Sequence, residues 1–272
     1  TSTAFTRFLS LNRDAASPHT NTAAEARSQP QTSTSAALSA CGTGGFEVEG
    51  IPKIDDPYKK RQWQLEHMAG AFRVFARKGY TEGTAGQSVL GVHFGLLKAS
   101  DMVHINEAGE VIGGAQRPVN AAGFMIHSAI HKARPDINAV CHTHSPAGKA
   151  WSTFGRHVDI INQDSCTFYE IQTVYENFGG VVLEKAEGER IAAVLGDKNR
   201  VAILQNHGLL TGWSTVDEVA YLFTSLERTC EVQIMGREHQ PSKKRIGHDE
   251  AQFTANVNAD PATLYTEFQL DF

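Results

Sequence analysis

From Asn12 to Ala37 the chain contains no Val, Ile, Leu, Met, Phe, Tyr or Trp. Such a segment cannot bury enough apolar surface to offset the entropy of ordering it. Folding must be specified by the remainder of the 272 residues, and residues 1–45 are expected to form a disordered or surface-draped arm. Arg7, Arg13 and Arg27 stand in Ser/Ala-rich surroundings like those of an organellar transit peptide, but Asp14 and Glu25 oppose that reading. A cytoplasmic address is therefore expected, with the mitochondrion as the alternative.

Beyond the arm, apolar residues recur with clear periods. Leu65, Met68, Phe72 and Phe75 share one face of a helix expected from about Pro57 to Lys78, which Gly79 stops. An extended piece is expected at Met102–Ile105. Asn120 caps a second helix that ends before Pro135 and carries the stripe Ala122, Ile126, Ile130 and Ala133. A β-branched-rich strand follows at Ile137–His142, then Ser145-Pro146 as a helix start. Val181–Leu183, a helix around Glu187–Leu195 and the strand Val201–Gln205 come next. The last long helix is expected to be capped by Ser214 and to bury Val219, Leu222, Phe223, Leu226 and Cys230. Strands alternating with helices predict a layered α/β domain over residues 46–236. The polar tail at 237–272 holds Phe253, Leu264, Tyr265, Phe268 and Phe272, which suit packing on a neighbouring subunit.

Composition removes several function classes. No apolar run approaches the ~18 residues of a bilayer crossing, so no membrane partner is expected. A net charge of −5 with pI near 6.2 leaves no basic patch for nucleic acid. Cys41, Cys141, Cys166 and Cys230 show no paired spacing and read as buried thiols of a reducing compartment.

The chemistry-bearing pattern is a set of histidines. His142 and His144 lie two apart at a strand end, so in extended backbone both rings point to one face and can grip a single ion. His207 follows the strand Val201–Gln205, and Gly208 beside it permits a sharp turn. A lone His-x-His arises by chance, and it is the third histidine at an equivalent strand end that makes a ligand set. Three neutral imidazoles suit zinc or another borderline divalent ion and leave a coordination position open, as catalytic sites do.

These residues carry a family resemblance. The chain resembles the class II aldolase/adducin domain from about Gln64 to Met235. The resemblance rests on Gly83-Thr84-Ala85-Gly86, Ala133-Arg134-Pro135-Asp136, Ala139 through Pro146, Gln205-Asn206-His207-Gly208-Leu209 and the long final helix. It implies a three-layer α/β/α domain around a central, largely antiparallel sheet, a homotetramer, and Zn²⁺ held by His142, His144 and His207. It also implies departures. The sugar-phosphate aldolases of the family place a catalytic glutamate where this chain has Gly123, and phosphate-binding serines where it has Ala121 and Ala122. A further asparagine is replaced by Gln87.

The expected function is that of a metal-dependent lyase of the aldolase type. Its substrate would be a small, unphosphorylated hydroxy-carbonyl or keto acid, and catalysis would run through a zinc-stabilised enolate in aldol cleavage, decarboxylation or epimerisation. The segments holding His93, Gln163, Asp164 and Tyr169 border the metal pocket in relatives, which makes these four the catalytic candidates. The alternative is a non-catalytic adducin-like binding module, since Val119–Phe124 follows the adducin pattern. Intact metal histidines favour the enzyme.

Overall fold

The computed structural model describes residues 3–6, 50–81, 89, 91–180, 184–236 and 244–272. The strands in chain order are β1 (Thr3–Thr6), β2 (Val103–Ile105), β3 (Val111–Gly114), β4 (Ala139–Thr143), β5 (Gln172–Tyr175), β6 (Val201–Leu204) and β7 (Gly208–Trp213). The helices are α1 (Pro57–Arg77), α2 (Ala121–Ala133), α3 (Pro146–Ser152), α4 (Lys185–Leu195), α5 (Val216–Met235), α6 (His248–Asn258) and α7 (Pro261–Gln269).

The central sheet has the order β1-β4-β7-β6-β5, antiparallel at each pairing except the parallel β5–β6 edge. β2 and β3 form a separate antiparallel hairpin. Both faces of the sheet are covered, and the side chains divide between them with the period of two that extended backbone imposes. Val140, Ala202, Leu204 and Leu210 pack with Ile126, Ile130, Ile191 and Leu195 of α2 and α4. Cys141, Val201, Ile203 and Leu209 pack with Phe72, Trp151, Phe223 and Phe268 of α1, α3, α5 and α7. The result is the expected three-layer α/β/α arrangement.

Local chemistry accounts for most boundaries. The Asp56 side chain accepts the N–H groups of Tyr58 and Lys59 at the start of α1, and Asn120 accepts that of Gly123 at the start of α2. Arg134, at the end of α2, reaches the carbonyls of Gly196 and Asn199 beyond α4 and pairs with Asp136. The Ala-Arg-Pro-Asp motif is thus a structural tie between two helix ends. Arg134 and Arg200 beside Asp136 hold its carboxyl well below the usual range.

Several expectations are corrected. The cap of α5 is Thr215, not Ser214, in a reciprocal box with Glu218. Ala133 is exposed, and Ala129 takes its place in the buried stripe of α2. Residues 244–272 are not a plain tail: α6 and α7 lie against the same chain, with Leu264 and Phe268 in its core. Phe272 sits over Gly70, where any Cβ would overlap its ring, and stacks on His67 at 4.7 Å. The extended piece expected at Met102–Ile105 is β2; β3, β5 and β7 are additional elements, and residues 3–6 pair as an edge strand with β4. The rest of the arm, Cys41, Gly83–Gly86, Gln87 and Val181–Leu183 lie outside the described residues.

Candidate metal centre

His142 is the fourth residue of β4, and His144 follows the strand by one. His207 closes a tight turn after β6: its N–H donates to the Leu204 carbonyl at 3.0 Å, and Asn206 adopts the left-handed region with φ 58°. Asparagine tolerates that conformation better than most residues. The antiparallel pairing of β4 with β7 then brings the turn beside the end of β4, with His142 opposite Leu210 and Thr143 opposite Leu209. The three ring centroids are 5.4, 4.7 and 4.9 Å apart, and one ligand nitrogen from each ring lies within 4.8 Å of the others.

The donor chemistry fits a divalent ion. His142 Nδ1 lies 2.7 Å from the Leu209 carbonyl, and because a carbonyl only accepts, Nδ1 carries the proton. Nε2 is then the lone-pair nitrogen that a metal requires. Burial, followed by the neighbouring His207 and His144, holds His142 well below the ordinary histidine range. Burial likewise lowers His144 to about 3 and His207 to about 4. All three are neutral near pH 7, the form that ligates metals. Gly208 keeps the space clear: a Cβ there would stand 3.2 Å from the Thr143 carbonyl oxygen, 3.7 Å from His142 Cε1 and 3.9 Å from His144 Cδ2.

Of the four catalytic candidates, His93 and Tyr169 have other hydrogen-bond partners, and Gln163 and Asp164 line a separate cavity. His93 is exposed, and its Nδ1 accepts the Gly95 N–H at 3.1 Å, capping a short 3-10 turn. Gln163 and Asp164 open a second such turn and line a polar cavity of about 360 Å³ with Tyr221, Arg228, Asn258 and Glu267. None of the metal histidines lines that cavity. The Tyr169 hydroxyl pairs with His248 Nδ1 of α6 at 2.6 Å.

Two buried carboxylates near the centre escaped sequence reasoning. Glu227 of α5 accepts the N–H groups of Ala147 and Gly148 at 2.7 Å each, together with the Ser145 hydroxyl. Ser145 is thus the helix cap by position, but its hydroxyl serves α5. The signal was present, since Glu227 interrupts the apolar face of Phe223, Leu226 and Cys230. Glu187, at the start of α4, accepts the Tyr175 hydroxyl at 2.7 Å and pairs with Arg190.

Residues 66–234 match the domain described as "Class II Aldolase and Adducin N-terminal domain". The chain is 41% identical over 242 residues to the Meiotically up-regulated gene 14 protein of Schizosaccharomyces pombe, covering 83% of this chain and 94% of that one. It is 36% identical over 201 residues to Decarboxylase NovR of Streptomyces niveus, covering 68% and 74% of the two chains. The solved L-fuculose 1-phosphate aldolase from Glaciozyma antarctica superposes with a TM-score of 0.72 at 34% identity, over 81% of this chain and 91% of that one.

Proposed function

The chain belongs to the class II aldolase and adducin family, and from that premise we propose that it is a divalent-metal-dependent carbon–carbon lyase. The observation that carries this reading is the convergence of neutral His142, His144 and His207 at one sheet end. Three protein nitrogens leave room in the coordination sphere for a substrate oxygen. Zinc bound there would supply a Lewis acid that polarises a carbonyl or hydroxy-carbonyl group.

The chain's own groups prepare the site. The Leu209 carbonyl selects the tautomer of His142, Glu227 anchors the backbone just past His144, and Gly208 leaves the rings space to converge. The substrate in this reading is a small unphosphorylated hydroxy-carbonyl or keto acid. Ala121 and Ala122, standing where the sugar-phosphate aldolases of the family carry phosphate-binding serines, support an unphosphorylated substrate. Likeness to a protein named a decarboxylase supports decarboxylation, and likeness to one named an L-fuculose 1-phosphate aldolase supports aldol cleavage. A homotetramer is the proposed assembly. Among the described residues no helix is long and apolar enough to cross a membrane.

The test is elemental analysis of the purified protein, followed by a screen of hydroxy-carbonyl compounds and keto acids with and without chelator. About one divalent ion per chain and turnover abolished by chelation are expected. Protein that binds no metal and turns over nothing in the panel would favour the adducin-like binding module.

A further inference from the structure

The cluster Tyr175, Glu187 and Arg190 lies at the same end of the sheet as His207. Tyr175 ends β5 opposite Leu204 of β6, and its carbonyl accepts the Gln205 N–H at 3.0 Å. His207 is two residues further along that chain. The sheet face is shared as well: Tyr175 packs in the α2–α4 layer with Val140, and the period of two puts His142 on the side of Val140.

Within this layer Glu187 is 7% exposed and Tyr175 3%. Glu187 Oε1 accepts the Tyr175 hydroxyl, while Oε2 accepts both Nε and Nη2 of Arg190. Gly179 crosses above, and a Cβ on it would stand 3.2 Å from Glu187 Oε2. Burial pushes the Glu187 carboxyl up, but its hydrogen bonds to Tyr175 and Arg190 outweigh this and leave it below its ordinary value. Glu187 and His207 also act on one another electrostatically in both directions. The first turn of α2, Ala121-Ala122-Gly123, contributes no carboxylate.

Three neutral imidazoles leave a bound divalent ion with its full +2 charge in a poorly solvated place. A nearby buried anion lowers the cost of that charge, and a cation paired with the anion offsets part of the effect. We propose that Glu187 is the charge-balancing group of the metal centre, held in place by Tyr175 and moderated by the half-exposed Arg190. This rests on the metal-centre reading above. Glu187 is a positioning group in this account, since its carboxylate acts on the centre through its field and not as a ligand.

The proposal makes opposite predictions for the two partners of one ion pair. Zinc is titrated into the full-length apoprotein against a chromophoric chelator, with circular dichroism and thermal melting as checks of folding. Glu187→Gln, which still accepts the Tyr175 hydroxyl, should bind zinc about ten-fold more weakly, and Arg190→Gln about three-fold more tightly. If the pair only anchored the start of α4, zinc affinity would fall in both variants or change in neither, and either result overturns the proposal. Should Glu187→Gln fail to fold, Arg190→Gln decides alone, and affinity that is unchanged or weaker overturns it. His144→Ala is the control for the underlying reading. Zinc lost there with Glu187→Gln unaffected removes only this inference, whereas zinc retained there removes the metal centre itself.

Discussion

The Glu227 carboxylate of α5 closes the amino-terminal end of α3, which begins two residues past His144 in sequence. Its two oxygens take the Ser145 hydroxyl and the N–H groups of Ala147 and Gly148. A helix start leaves such N–H groups without intrahelical partners, and an anion there is favoured by the helix dipole. Burial pushes the Glu227 carboxyl up, and these three donors pull it back. Two elements 80 residues apart are thereby joined beside His144.

Replacement of Glu227 by Gln should be costly, because the amide presents one acceptor and one donor to three donors. Leaving a buried donor unsatisfied costs about 1–3 kcal/mol. The melting temperature should fall, and zinc affinity should fall with it as the backbone at His144 loosens. Thermal melts in the apo and zinc-loaded states check this; a variant that melts lower but binds zinc unchanged would mean that the clasp supports the fold without supporting the site.

Gly208→Ala probes the other side of the centre. The new methyl would press on the Thr143 carbonyl at 3.2 Å and approach the rings of His142 and His144. A contact that tight must be relieved by moving the turn or the β4 end, and both carry histidines of the candidate centre. An affinity loss of about ten-fold is expected with a modest stability loss of about 1 kcal/mol. Equal affinity in the two proteins would show that the turn yields without moving His207.

The histidines set a pH dependence whose sign follows from burial. Their folded-state pKa values lie below 6.5, with His144 at about 3 and His207 at about 4. The unfolded chain therefore takes up protons at these positions first as pH falls, so the histidines' contribution to apoprotein stability declines from about pH 6.5 toward pH 3–4. Bound zinc adds a further proton-sensitive contribution, since protons compete for the same nitrogens. The rise in melting temperature on adding zinc should be large at pH 7.5, persist at pH 5 and disappear only toward pH 3–4, where His144 and His207 take up protons in the folded state. His144→Ala should show little rise at pH 7.5 or pH 5, and a full rise in that variant would remove His144 from the ligand set.

The convergence of His142, His144 and His207 could be read from sequence because it depends on local geometry: a period of two along β4 and a turn after β6. The amphipathic helices α1, α2 and α5 were legible for the same reason, their apolar residues recurring at helical spacing. β7 was not, since Gly208–Trp213 is buried on both faces and carries two glycines, so it shows neither alternation nor β-branched enrichment. Thr215 displaced Ser214 as the α5 cap because two adjacent hydroxyls compete for one role, and only Thr215 has Glu three residues on. Glu227 and Glu187 were passed over because acids on helices usually face water. Their partners arrive from other elements, and only the fold brings them together.

Glu218 provides the last prediction, with the opposite sign to the histidines. It is fully buried in the first turn of α5; one oxygen accepts the Thr215 N–H at 2.5 Å, and among the described residues Oε1 has no hydrogen-bond partner. Burial pushes its carboxyl up from 4.5 to about 7. Between those values the native state keeps a proton that the unfolded chain has released, so this group's contribution falls as pH rises through the window. The full effect is on the order of 3 kcal/mol above pH 7 and is absent below about pH 4.5. Glu218→Gln keeps the acceptor for Thr215 and carries no proton to lose. Any cost of its buried amide is the same at every pH, and the histidine contribution is common to both proteins. The stability of Glu218→Gln relative to wild type, measured by urea unfolding, should therefore increase steadily from pH 5 to pH 8. A difference that stays constant across that range would show that Glu218 is already ionised at pH 5 and that its burial is compensated in some other way.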